Sequence, residues 1–278
     1  INVTATPADG YELVSIKWNG ENGPESDITT GKTFIMPASD VTVTVTFELL
    51  RGVIGDHEYV LTGGKKWATM NLGATNPWDN GNLYSWGNTN GMSVEPFAPS
   101  FTESDYNGTD GAGISDASSW NVANHDAARV EWGETWRMPT KEDFAALAAD
   151  GVWFSTENYN QNSKMGVIVY VAKDEADKGK AYLNGTWKKW NGSSSEFSAD
   201  GASGVSETYS ETTDPHIFFP AAGSSTGASR AGTHAGLYWS STLFASTFAN
   251  YLSFTIDVVK LDFFYRYAGY SIRPIADL

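Results

Sequence analysis

No cysteine occurs in the 278 residues, so disulfides, thiolate nucleophiles and zinc-thiolate centres are all excluded. Basic side chains are scarce: 18 Lys and Arg stand against 33 Asp and Glu, and the net charge of -15 repels nucleic-acid phosphate and anionic lipid. Nucleic acid is therefore not an expected partner. No apolar run reaches the roughly eighteen residues a membrane-crossing helix needs, and the first residues carry neither a basic region nor an apolar signal core. Ile1 enters in mid-strand, so a leader and further sequence are expected ahead of it. Histidine is rare as well. His57, His125, His216 and His234 fall one to a segment, without the His-x-x-x-His or His-x-Glu spacing of a metal site, and read as structural or surface residues.

What is present is a folded chain with 41% hydrophobic residues, enough for one large domain and a small one. Residues 1–52 carry three alternating runs, Val3–Thr6, Tyr11–Trp18 and Val41–Phe47, with turns at Pro7–Gly10 and Trp18–Gly20. Period-two alternation with turn residues between the runs predicts a small all-β module. Residues 53–278 form the second predicted domain. Strands are expected at His57–Leu61, Val167–Val171, His216–Phe219 and Tyr238–Ser240, and a Ser-, Gly- and Asp-rich insertion spans residues 191–214. Asn121–Trp132 can form a helix ending at Gly133. A second helix follows Thr140, where Thr140 and Asp143 have the spacing of a capping box. Two helices ahead of several strands predict an α+β class.

The C-terminal stretch is unusually aromatic. Phe244, Phe248, Tyr251, Phe263, Phe264, Tyr265, Tyr267 and Tyr270 crowd together, interrupted by Ser246, Asn250, Ser253 and Asp262. Tyr and Phe give contact area at low entropic cost and small polar residues adapt, which is the composition of a binding surface. Sheet core is the competing reading, since the same rings are good strand formers and good core fillers.

The segments "HEYV", "KWATMNLGAT", "NLYSWGNT", "HDAARVEWGETWRMPTKEDFAAL", "FFPAAG", "LYWSST" and "RYAGYSIRPI" resemble, in order, the Fibrobacter succinogenes major paralogous domain family. That resemblance covers residues 54–278 and implies a C-type-lectin-like domain whose first strand, around His57–Val60, pairs with Ser271–Ile275. Relatives often carry cysteine where this chain has Met70 and Glu134. "VTATPADGYELVSIKWNG" and "FIMPASDVTVTVTFE" resemble the internalin B-repeat, a surface stalk unit, without its opening strands.

Folds of this kind also underlie proteins diversified by retroelements, in which adenine-specific mutagenesis alters template Asn codons. Such a codon cannot become Lys, Glu, Gln, Met or Trp, and between Phe244 and Tyr270 only Lys260 belongs to that set. Strand propensity disfavours several of the same residues, so a fixed paralogue fits this pattern too. The resemblance implies a fixed frame of Trp239, Ser240, Ser241, Leu252, Phe254, Arg266, Gly269, Arg273 and Pro274. On it Phe244, Ser246, Phe248, Asn250, Tyr251, Ser253, Val258, Phe263, Tyr265, Tyr267 and Tyr270 would be displayed.

No catalytic constellation stands out. The fold class includes formylglycine-generating oxidoreductases, but their chemistry depends on cysteine or histidine at a metal. Ser240-Ser241 lacks the Gly-x-Ser-x-Gly setting of a hydrolase nucleophile, and Glu131 with Glu134 reads as an acidic helix edge. Asp105–Gly113 is rich in oxygen ligands and glycine, yet its spacing is not that of a calcium loop; Asx turns are the simpler reading, with calcium as the alternative. The expectation is a non-enzymatic, extracellular or surface-displayed protein of a gut bacterium or its phage, binding a protein or glycan ligand on another cell or phage surface. A structural adhesin whose rings pack against a neighbouring domain is the alternative.

Overall fold

The structure, a computed structural model, describes residues 1–8, 10–21, 23–93, 125–226, 229–245 and 247–278. Two compact units divide the chain, Ile1–Gly52 and Val53–Leu278. The calcium alternative at Asp105–Gly113, the first turn expected of the helix at 121–124 and the candidate Ser246 lie outside the described residues.

In the first unit β1 (Tyr11–Gly20), β2 (Ser26–Asp27) and β3 (Val41–Leu49) form a three-stranded sheet in the order β2-β1-β3. β1 and β3 are antiparallel from Tyr11 opposite Leu49 to Gly20 opposite Val41, with a bulge between Leu13 and Ser15. Its interior is small: Ile16 and Phe34 are buried, and Trp18 stacks on Phe34 at 4.5 Å. The expected strand at Val3–Thr6 does not form; Asn2 makes a lone bridge to Thr33.

The second unit begins with a small sheet. β4 (Arg51–Ile54), β5 (His57–Thr62) and β6 (Lys65–Ala68) are joined by the C-terminal strand in an order with β6 between β5 and that last strand. Gly63, at φ +58°, closes the β5–β6 turn so tightly that a Cβ would come within 2.9 Å of the Leu147 amide. β7 (Asn82–Leu83) and β8 (Met92–Ser93) make a separate ribbon. Helix α1 (Ala127–Trp132) starts at Asp126, whose buried carboxylate accepts from the Arg129 and Met138 amides. Helix α2 (Lys141–Asp150) has the expected Thr140–Asp143 capping box, and Arg137 bonds Asp143 at 2.7 Å.

After α2 the chain is almost all strand: β9 (Val152–Tyr159), β10 (Lys164–Tyr170), β11 (Lys180–Leu183), β12 (Thr186–Asn191), β13 (Glu196–Ser198) and β14 (His216–Pro220). The short pair β15 (Ser224–Thr226) and β16 (Ser229–Ala231) follows, then β17 (Gly236–Ala245), β18 (Phe248–Phe254), β19 (Val259–Tyr265) and β20 (Ile275–Ala276). Nine of these form one sheet in the order β14-β10-β9-β11-β12-β13-β19-β18-β17. The sheet curls until its two edges approach. Gly223, just past β14, bridges Gly236 at the start of β17, and Phe219 meets Tyr238 edge to face at 5.1 Å. Inward positions of its strands, among them Trp153, Val169, Phe219, Tyr238, Leu252 and Val259, pack with Phe144, Leu147 and Ala148 of α2 in one core.

These facts correct the fold class. Among the described residues the chain is mostly β, with 45% in strands and 8% helical, and its main sheet is nearly closed like a barrel, so the expected α+β, C-type-lectin-like class does not hold. The difference arises largely in residues 180–198, the strands β11 to β13, where Lys, Asn, Thr, Ser and Glu interrupt single apolar residues and no apolar run announces a strand. A local signal is nevertheless present. Asn184-Gly185, with φ of 45° and 79°, is the tight hairpin turn between β11 and β12. The expected terminal pairing also shifts by one strand, because Ile275 lies opposite Trp67 of β6 rather than against β5.

The insertion at 191–214 is held to the sheet by Asp177, fully buried in the 3-10 turn Glu175–Asp177. Its carboxylate accepts from the Ser206 amide and hydroxyl, the Glu207 amide, the Tyr209 hydroxyl and the buried Lys180 ammonium. Burial alone would raise its pKa, but these donors outweigh it and hold the carboxyl below the usual range. A depressed folded-state pKa means stability present above the unfolded value and lost as pH falls through and below it. Asp177→Asn is expected to cost about 3–5 kcal/mol at neutral pH, since it leaves Lys180 buried without its counter-charge. It should also flatten the acid limb below about pH 4. Urea unfolding from pH 7 to pH 3 checks both; a loss under about 1 kcal/mol at pH 7 would refute the role given to this carboxylate.

Candidate aromatic binding ridge

β17, β18 and β19 place the C-terminal aromatics. β18 pairs with β19 without irregularity, from Phe248 opposite Tyr265 to Phe254 opposite Val259. Side chains alternate faces along a strand, so Phe263 and Tyr265 share a side and Phe264 takes the other. β17 pairs regularly with β18 only through Trp239 opposite Tyr251, and then bulges between Trp239 and Leu243 and again before Ala245.

Asn250 holds that bulge. Its buried amide donates to the Thr242 carbonyl at 3.1 Å, while its own carbonyl accepts from the Ser240 hydroxyl at 2.9 Å. The bulged strand is tied to the head of α2, where the Lys141 amide donates to the Thr242 hydroxyl and the Ser241 amide to the Pro139 carbonyl. A bulge bends its strand and re-aims the side chains beyond it. Phe244 comes out of this one facing solvent at 52% exposure.

The outcome is a continuous ridge of rings. Phe244 stacks flat on Phe263 at 3.7 Å, Phe263 meets Phe248 edge-on at 5.9 Å, Phe248 lies 4.4 Å from Tyr265, and Tyr265 stacks on Tyr267 at 5.4 Å. Phe263 and Tyr265 are each 42% exposed, and Phe248 and Tyr267 are half-buried. Below the ridge Arg266 is buried with its guanidinium 5.2 Å over Trp86, and desolvation holds its pKa down to about 10, so it remains a cation at neutral pH. Its backbone amide donates to the Thr247 carbonyl, fastening the Tyr265–Tyr267 turn to the tip of the β17–β18 hairpin. Asp262 borders the ridge and pairs with Lys260 at 2.7 Å.

Other candidates lie elsewhere. Asn250, Tyr251 and Tyr270 are buried, so the structure removes them from the displayed set. Tyr270 stacks on Trp239 at 4.2 Å and touches Tyr251 at 4.9 Å; burial, together with Asp262, pushes the Tyr251 phenol up to about 12. Ser253 is half-buried in mid-strand, and Val258 sits in the β18–β19 turn at the far end of that hairpin. The frame residues Trp239, Ser240, Leu252, Phe254, Arg266, Gly269, Arg273 and Pro274 are all buried, and Ser241 is half-buried. Phe264, absent from the expected display, is 36% exposed on the opposite side from Phe263, near Tyr270; period-two alternation from Phe263 was the signal for it.

The remaining candidates serve packing or local bonding. His57 lies flat on Trp132 at 3.6 Å, with desolvation lowering its pKa; His125 Nδ1 is 2.9 Å from the Gly87 carbonyl; His216 bonds Tyr159 and the Asp214 carbonyl. Glu131 accepts from the Tyr84 hydroxyl, and its pKa is raised by burial.

The second unit thus carries an exposed aromatic ridge on a β scaffold, and the first is a small β module. Residues 1–50 match the family model of the divergent InlB B-repeat domain. No curated protein and no solved structure matches the chain.

Ridge and bulge make opposite predictions for stability. Phe263→Ser and Tyr265→Ser are expected to change unfolding free energy by no more than about 0.5 kcal/mol each, as for surface positions. Asn250→Ala, which strands the Thr242 carbonyl, should cost about 1–3 kcal/mol. Equal losses for all three in urea unfolding would mean that the ridge is core.

Proposed function

We propose that the chain is a non-enzymatic, secreted or surface-displayed binding protein that uses the ridge of Phe244, Phe263, Phe248, Tyr265 and Tyr267 to hold a protein or glycan on another cell or phage surface. The observation that carries this reading is the continuity of the ridge: five rings touch in series at the surface, two of them in a flat stack. Soluble surfaces rarely leave contiguous large apolar patches uncovered unless something docks there. Rigid rings in mutual contact lose little entropy on binding, and each can bury large apolar area. The B-repeat match at residues 1–50 supports a surface-protein setting, with that module as a spacer.

The finer reading is a protein of the Fibrobacter succinogenes paralogous type whose ridge is diversified by a retroelement. Phe and Tyr codons both arise from an Asn codon by changes at adenines alone, which supports all five ridge positions as targets. Sequencing the DNA flanking the gene tests it. A reverse transcriptase and a near-copy of the 3′ end with Asn codons at 244, 248, 263, 265 and 267 are the expected finds; their absence leaves a fixed binding module.

Binding itself is tested with labelled protein on a panel of bacterial cells and on a glycan array. Phe263→Ala with Tyr265→Ala should weaken any interaction by about 2 kcal/mol or more, some thirtyfold, with unfolding unchanged. Retained binding in the double variant would sink the proposal. A concentration-dependent oligomer that buries these rings, seen by ultracentrifugation and abolished in the variant, would instead favour the structural adhesin.

A further inference from the structure

The far end of the β18–β19 hairpin, about 20 Å along the strands from the ridge, borders a recess of quite different chemistry. Its volume is about 400 Å³, and it is lined by Ser155, Thr156, Glu157 and Asn158 at the end of β9, by Tyr182 and Asn184 of the neighbouring β11–β12 hairpin, and by Ile256. We infer that this recess is a second binding site, for a short neutral glycan, independent of the ridge.

The lining selects that class. Glu157 is the one charged residue among those that line it, and behind Asn184 the Asp257 carboxylate stands beside the Lys188 ammonium, so the surroundings are net negative and disfavour phosphate, sulfate and carboxylate ligands. Tyr182, which lines the recess and is 37% exposed, brings an aromatic ring to it, and the electron-rich π-system of such a ring attracts the polarised C–H bonds on the flat side of a pyranose. Trp187 and Phe154 brace that ring at 4.9 and 6.2 Å. Around it stand hydroxyl, amide and carboxylate groups, the donors and acceptors that vicinal sugar hydroxyls require. The volume lies in the range of small-ligand sites and holds one or two sugar rings.

The polar groups are also fixed in advance. Asn184 occupies the left-handed position of the Asn184-Gly185 turn at φ 45°; its amide nitrogen donates to Asp257 Oδ1 at 2.7 Å and its backbone amide to the Ser155 hydroxyl at 3.0 Å. Its side-chain oxygen therefore points in a set direction. Asn158 is held from the other side, since its oxygen accepts from the Ser163 amide at 2.8 Å and its nitrogen is left to donate. Groups already ordered in the free protein cost little to order on binding.

The whole chain should be titrated with soluble cello-, xylo-, manno-, malto- and chito-hexaoses while amide NMR shifts are followed. At least one hexaose is expected to shift the signals of 155–158 and 182–185. Tyr182→Ala should weaken it by about tenfold or more, whereas Tyr182→Phe, which keeps the ring, should not. Asn184→Gly keeps the turn, removes the amide and should also weaken binding. The ridge variants Phe263→Ser and Tyr265→Ser should leave it unchanged, which separates failure of this inference from failure of the ridge reading. Three results would overturn it: no hexaose shifts these signals, the shifts map to the ridge and vanish in Phe263→Ser, or sulfated oligosaccharides bind more tightly than neutral ones.

Discussion

The head depends on one buried cation. Arg273 is fully buried, and its guanidinium gives its protons to neutral acceptors: Asn71 Oδ1 at 2.9 Å, the Ala68 carbonyl at 2.9 Å and the Phe218 carbonyl at 2.7 Å. The Phe219 ring lies 4.7 Å beneath it. Desolvation draws the pKa down to about 10, so the group remains charged at neutral pH. A charge without these acceptors would cost several kcal/mol to keep from water, and they come from three parts of the chain: the end of β6, the loop after it and β14. Tyr238 extends the same network, accepting from the Asn71 amide and donating to the Pro220 carbonyl, and so brings β17 to β14. One guanidinium thus ties together the first hairpin, the edge strand β14 and the segment leading into the C-terminal strand.

The curled sheet gives its two faces different work. Trp153, Val167, Val169 and Phe219 fill the interior with α2, while Val152, Ile168, Tyr170 and Phe218 form a second cluster on the outer side under Trp78, Val205 and Tyr209. The polar 199–214 segment has little apolar area of its own to bury, so its attachment falls to Asp177 and Lys180. Strands covered on both sides lose the clean alternation of a half-exposed sheet, which is why β10 shows in the sequence as a continuous apolar run.

Legibility followed local chemistry. The Thr140–Asp143 cap, the helix stop at Gly133 and the run of β10 were visible because each is decided within a few residues. β11–β13 were hidden because their pairing is decided by distant partners, Glu196 with Lys260 across the sheet being one. At the ridge, composition marked the right stretch, and alternation separated Phe263 and Tyr265 from Phe264. Asn250 looked like an adaptable surface contact. It is buried because a bulge on the neighbouring strand leaves the Thr242 carbonyl in need of a donor, and no pattern within β18 reveals a bulge on β17. Tyr270 turned inward for a similar reason: past Gly269 the chain runs beside Tyr84, with which Tyr270 exchanges backbone hydrogen bonds, and its ring falls onto Trp239.

Ridge and frame are built from separate sets of side chains. None of the four buried clusters contains Phe244, Phe248, Phe263, Tyr265 or Tyr267, although residues beside them in sequence, Leu243, Ala249 and Ala268, do belong to one or pack against it. Strand alternation and the β17 bulge alternate core and display along the chain, so neighbouring positions answer to different constraints. Substitution on the display side leaves the Arg273 network, the Asn250 bulge and the cap of α2 untouched. Were the ridge to bind as proposed, its contacts could change without unfolding their support, whether the surface is variable or fixed. Either way, the rings remain at the surface because the backbone bonds of β18 and β19 are satisfied by each other and by the bulge, and folding exerts little pull on the side chains beyond them.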